Sequence, residues 1–157
     1  MPLIAEYRDA RRDEDVARLR RVLALRAMVA LGMSQRAIAS ELGISQPAVS
    51  QQLKFAPDLG QVHPELLLDA AAPALKALAA ERGYGKLAVF GSVACERARR
   101  DSDIDLLVEP PRGASSFDFV EFKMLLEQVL GREIDLISWG GLKPGLDDDI
   151  RREAVML

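Results

Sequence analysis

The chain has 157 residues, 49% apolar and 29% charged, with a formal net charge of −3; this suits one ordinary domain or two small ones and excludes a disordered chain. No apolar run approaches the roughly 20 residues needed to span a bilayer, and the charged first 15 residues lack the apolar centre of a signal peptide, so a cytoplasmic location without membrane association is expected. One cysteine (Cys95) and one histidine (His63) exclude a disulfide framework, a thiolate or imidazole zinc site and a histidine-dependent triad, so any metal must be held by oxygen ligands.

The charge is unevenly spread. Residues 1–56 carry nine Lys/Arg against six Asp/Glu, a balance of +3, and residues 57–157 carry twelve against eighteen, a balance of −6. A basic first third beside an acidic remainder suggests two modules with different partners.

In chain order, apolar residues from Asp13 to Leu31 recur at helical spacing, and Gly32 stops the helix. Ser34 is placed to cap a second helix, Gln35 to Leu42, ended by Gly43. Ser45 caps a third, with Pro47 in its first turn, where a missing N–H is harmless. Phe55 to Gly60 breaks the pattern as a linker. Pro64 opens a helix towards Arg82, and Pro73 predicts a kink or two short helices there. Leu87 to Phe90 reads as a buried strand. Asp103 to Glu109 alternates, with Ile104, Leu106 and Val108 on one face and Asp103, Asp105 and Leu107 on the other. A helix from Phe117 to Leu130, a strand from Glu133 to Ser138 and a last helix from about Leu146 to Ala154 complete the chain. The expected class is α+β: an all-α module over 1–56, linker and helices over 57–85, and a small α/β domain with a mixed sheet over 86–157.

The segment 34–54, SQRAIASELGISQPAVSQQLK, fits the helix-turn-helix template. Ala39 is small where two helices would cross, Gly43 sits at the turn, and Ile38, Leu42, Ile44, Val49 and Leu53 have the spacing to fill a little core. The next helix would enter the major groove, with Ser45, Gln46, Ser50 and Gln51 reaching bases or phosphates and Arg36 and Lys54 contacting the DNA backbone. The segment resembles the sigma-factor and repressor-like helix-turn-helix families. A single such unit binds DNA weakly, so a homodimer is expected, through Val16 to Leu31. The competing reading is a helical bundle used for protein contact.

In the second module, a strand ending at Phe90 turns through Gly91-Ser92 into a short helix. Glycine lets the backbone approach a ligand closely, and the serine hydroxyl adds a hydrogen bond to a phosphate. Asp103 and Asp105 leave one face of a strand and repel each other unless a cation lies between them. Hard oxygen donors select Mg²⁺ or Mn²⁺. Ser102 caps or orients the turn leading in. Ile134-Asp135-Leu136 echoes Ile104-Asp105-Leu106, and if the two strands are neighbours in register, Asp135 joins the other two carboxylates.

From about Leu87 to Leu157 the chain resembles the minimal nucleotidyltransferases of the DNA polymerase beta superfamily, which carry a Gly-Ser turn, an Asp-x-Asp strand and a third acidic residue on a later strand. The resemblance implies phosphate binding by Gly91 and Ser92, and metal binding and chemistry by Asp103, Asp105 and Asp135; Ser102, just before them, is counted with the nucleotide-binding residues. It further implies an antitoxin that transfers AMP from ATP to a helical toxin of the HEPN type. Members usually continue Gly-Ser-x-Ala-Arg-Gly, whereas Cys95-Glu96 stands here in place of Arg-Gly. That removes one positive group and introduces a negative one, for which Arg97, Arg99 or Arg100 would have to compensate. Two other readings follow: a non-enzymatic regulator whose second module only binds nucleotide or a partner, and an enzyme acting on a small molecule such as an aminoglycoside.

Overall fold

A computed structural model describes residues 1–157. Helix α1 spans Pro2–Ala30, so it begins eleven residues before the apolar pattern does (position 2 against 13). Leu19, Leu23 and Ala27, one helical turn apart, enter a large core, while Leu25 on another face joins a small one. Most of the apolar side chains in the stretch expected to form a dimer interface (Leu19, Val22, Leu23, Leu25 and Ala27) are buried within the chain, while Ala17 and Ala24 stay exposed on another face. Residues 1–15 are exposed throughout.

Helices α2 (Gln35–Leu42) and α3 (Gln46–Lys54) start where hydroxyls cap them: Ser34 Oγ accepts from the Ala37 N–H at 3.1 Å, and Ser45 Oγ from Ala48 at 3.2 Å. Gly43 takes φ 67° between them. Ile38, Ala39 and Val49 are buried against Leu25 of α1, with Leu53 half-buried beside them. Leu42 and Ile44 do not fill that core, being 49% and 38% exposed; Leu25, Met28 and Val29 of α1 occupy the space they were expected to take.

Helix α4 (Pro64–Glu81) runs unbroken through Pro73. Pro73 and Asp69, whose carbonyl loses its N–H partner, are both on the exposed side, so water satisfies the freed acceptor and neither a break nor a second helix is required. The opposite side of α4 packs Leu67, Leu68, Ala71, Leu75 and Leu78 into the large core.

The sheet comprises β1 (Gly85–Phe90), β2 (Ile104–Glu109), β3 (Ile134–Ser138) and β4 (Val155–Met156) in the order β3-β2-β1-β4. Two short helices adjoin strands, α5 (Gly91–Ala94) just after β1 and α7 (Asp148–Glu153) just before β4. Only β2 and β3 are parallel. A parallel pair needs a crossover, which is α6 (Ser116–Leu130), started by a reciprocal Ser115–Asp118 capping box. The last helix is shorter than its expected span at both ends: Leu146 and Asp147 lie in a turn where the Lys143 and Gly145 N–H groups donate to the Asp147 and Asp148 carboxylates, and Ala154 leads into Val155 and Met156, which pair with Val89 and Ala88. A two-residue strand is too short for an alternation pattern to reveal.

Leu87, Val89, Ile104, Leu106 and Val108 face α1, α4 and α6 across the large core, while Ala88, Phe90 and Leu107 face Leu142 and Ile150 on the other side. Arg26 of α1 donates to the Val129 and Gln128 carbonyls at 2.9 and 2.6 Å, satisfying open acceptors at the negative end of α6. Through that contact and the shared core, the first helix is part of the same folded body as the sheet. No helix is long and apolar enough to cross a membrane.

Candidate functional site

The site is built at one end of the sheet, where β1 finishes and β2 and β3 begin. Phe90 pairs with Asp105, and Asp105 pairs with Asp135, so the end of β1 and the two aspartates lie side by side on neighbouring strands. Asp103 precedes β2 by one residue and is exposed, Asp105 is half-buried and Asp135 is exposed. Alternation places Asp105 on the face of Phe90 and Leu107, away from the large core.

Gly91 is needed where it stands. It takes φ +73°, and a Cβ there would overlap Asp105 Oδ2 and lie 3.2 Å from its Cγ. The turn thus lays its backbone directly against the central carboxylate. Ser92, half-buried, follows in α5. Ser102 is used differently: its Oγ accepts from the Arg99 N–H at 2.7 Å, closing the loop into β2. That is the turn-capping role, and Ser102 does not border the carboxylate cavity.

Burial raises the Asp105 carboxyl from 3.8 to about 6, reinforced by hydrogen bonding with Asp135 whenever one of the two holds a proton, and by the charges of Asp135 and Asp103. The carboxylates are not drawn around one point, since no three His, Cys, Asp or Glu side chains have the spacing of a metal cage. Even so, the site fits a hard divalent cation. Its donors are all oxygens, and the group at its centre is strained by two neighbouring negative charges that a cation would neutralise.

A cavity of about 290 Å³ opens beside these residues, lined by Phe90, Asp105, Lys123, Asp135, Leu136 and Ile137. Lys123 was not singled out from the sequence. It belongs to α6, whose apolar residues pack on the opposite face of the sheet, and it is half-buried and borders the cavity beside the edge strand β3. Only the helical register of α6 and the position of β3 as an edge bring it there. Arg97, Arg99 and Arg100 remain exposed and outside the cavity. Glu96 takes φ 56°, in the left-handed region that favours glycine. Cys95 sits by Glu153 of α7; burial first, then Glu153, raises its thiol above the usual range, which is the opposite of an activated nucleophile.

The six residues expected to contact DNA all lie in the α2–α3 unit or at its edges. Arg36, Ser45, Gln46, Gln51 and Lys54 are exposed and Ser50 is half-buried. Gln46 Nε2 donates to Gln35 Oε1 at 2.7 Å, tying the start of α3 to the start of α2.

A model of the nucleotidyltransferase domain matches residues 73–157. The chain is 41% identical over 75 residues to MJ0435 of Methanocaldococcus jannaschii, covering 48% of this chain and 81% of the relative. It is 37% identical over 73 residues to the protein adenylyltransferase MntA of Thermococcus cleftensis, covering 46% and 74%. A solved minimal nucleotidyltransferase structure superposes with a TM-score of 0.53 at 39% identity, covering 66% of this chain and 99% of that one. The family match takes in more than half of the chain, including every strand of the sheet and the turn between Phe90 and Ser92, and on that ground the chain belongs to the nucleotidyltransferase domain family and is an enzyme of that class.

Proposed function

We propose that this chain transfers AMP from ATP to a hydroxyl side chain of a cognate helical toxin of the HEPN type, and that it binds operator DNA through α2 and α3. The observation that carries the transferase reading is the pairing of Asp105 with Asp135 against the Cβ-free Gly91. Its support in kind comes from MntA, a relative named as a protein adenylyltransferase.

In this reading, Gly91 admits the triphosphate to close range and Ser92 adds a hydroxyl hydrogen bond. Asp103, Asp105 and Asp135 would hold Mg²⁺ or Mn²⁺, which when bound would neutralise charge developing on the phosphates. The acceptor oxygen forms a bond to the α-phosphorus, the bond to the bridging oxygen breaks, and pyrophosphate leaves. Asp135, exposed at the edge strand, takes the proton from the attacking hydroxyl. Lys123 borders the cavity as the one cation facing it and replaces part of the charge lost at Cys95.

The test uses labelled ATP, Mg²⁺ and the product of the adjacent reading frame, beside Asp103→Asn/Asp105→Asn. Label reaches the partner only with the unmutated chain; no transfer under any metal or nucleotide would sink the reading. The DNA claim is separate. Gln46→Ala with Gln51→Ala abolishes a salt-sensitive gel shift, and an unchanged shift rejects α3 as the reading helix.

A further inference from the structure

Helix α1 is 29 residues long and each of residues 1–15 is exposed, with Glu14 at the lip of a groove beside α4. A solvent-exposed helical arm of about 15 residues is marginal in water by itself, and this one displays Leu3 and Tyr7 at 73% and 69% exposure. These side chains are not scattered. Leu3, Tyr7, Ala10, Ala17 and Ala24 lie along one seam of α1 at the three- and four-residue spacing that can face another helix, interrupted by Glu14 and Arg21, which carry opposite charges. The seam stays exposed through Ala24, even where other faces of α1 are buried. In its second half it borders an open groove against Ala70, Pro73 and Ala74 of α4, floored by small side chains that let another helix approach closely.

The charges say what that helix is. Residues 1–15 hold five acids (Glu6, Asp9, Asp13, Glu14, Asp15) against three arginines, whereas residues 16–30 hold four arginines (Arg18, Arg20, Arg21, Arg26) and no acid. Such a helix is complementary to itself run antiparallel, acidic half against basic half, and repels itself run parallel. We propose that α1 is the interface through which two copies of this chain pair, antiparallel, with Leu3 and Tyr7 of each seated in the α1–α4 groove of the other. The pairing is independent of nucleotide transfer and of DNA binding, and it uses the exposed first half of α1 together with the open face of its second half.

The experiment is sedimentation of the full chain with three variants, with helix content followed by circular dichroism. The unmutated chain runs at twice 17.2 kDa and loosens as salt rises past about 0.1 M, where screening acts within about 10 Å. Leu3→Asp/Tyr7→Asp runs as a monomer that keeps a cooperative unfolding transition, its melting temperature below that of the concentrated dimer and independent of concentration, because a partner no longer stabilises the folded state. Asp13→Arg/Glu14→Arg/Asp15→Arg and Arg18→Glu/Arg20→Glu/Arg21→Glu are each monomeric, and mixing the two restores a dimer. A chain that is monomeric at every concentration overturns the proposal. So does a dimer indifferent to Leu3→Asp/Tyr7→Asp, or a failure of the two charge-reversed chains to pair.

Discussion

Replacing Asp105 with asparagine should stabilise the protein while abolishing nucleotide transfer. In the folded chain the carboxyl releases its proton near pH 6, against 3.8 for an unperturbed aspartate, chiefly because of burial and then because of Asp135 and Asp103. The folded state therefore binds more protons than the unfolded state between those values. By linkage, stability falls as pH rises through that window and then levels off. A gap of this size corresponds to at most about 3 kcal/mol, and because Asp105 is only half-buried, solvent screening reduces it to about 1 kcal/mol. Asparagine has no charge to lose. Thermal unfolding in EDTA should show the variant equal to the parent near pH 3.5 and about 1 kcal/mol more stable at pH 7.5, roughly 2–4 °C in Tm for a chain of this size. Mg²⁺ should then close the gap by stabilising the parent alone. A variant less stable than the parent at pH 7.5, or an advantage that does not change with pH, would refute the assignment of Asp105 as the strained centre of the site.

Three further outcomes are expected. Gly91→Ala places a methyl on Asp105 Oδ2 at φ +73°; it should cost about 1–2 kcal/mol in urea unfolding from the left-handed backbone alone and remove nucleotide binding measured by calorimetry. Glu96→Gly relieves a φ of 56°; after the entropy that glycine adds to the unfolded chain, it should raise stability by about 0.5 kcal/mol and tighten nucleotide binding, and a loss on both counts contradicts the reading. Lys123→Met should raise KM for ATP about tenfold, near 1.4 kcal/mol, with a smaller effect on kcat, and Lys123→Arg should restore most of it.

Much of the local structure was legible from side-chain chemistry. Ser34, Gly43 and Ser45 mark helix ends because their hydroxyls and permissive backbone satisfy the open N–H groups at a helix start and the left-handed turn at its end, and those are interactions between near neighbours in sequence. The alternation in Asp103–Glu109 set Ile104, Leu106 and Val108 on one face, and all three are fully buried. Pro73 misled because its effect depends on exposure: a proline facing water leaves an acceptor that water can satisfy.

What the sequence by itself determined is the set of residues with the right chemistry and the short segments that hold them: the Gly91-Ser92 turn, two aspartates one residue apart, a third in an echoing segment. Tertiary structure alone decided that Asp105 and Asp135 stand opposite each other, that Lys123 borders their cavity, that β4 exists, and that α1 divides its faces between two cores and open solvent. Each of these depends on strand order, crossover path or packing between residues tens of positions apart, and no local periodicity carries that information.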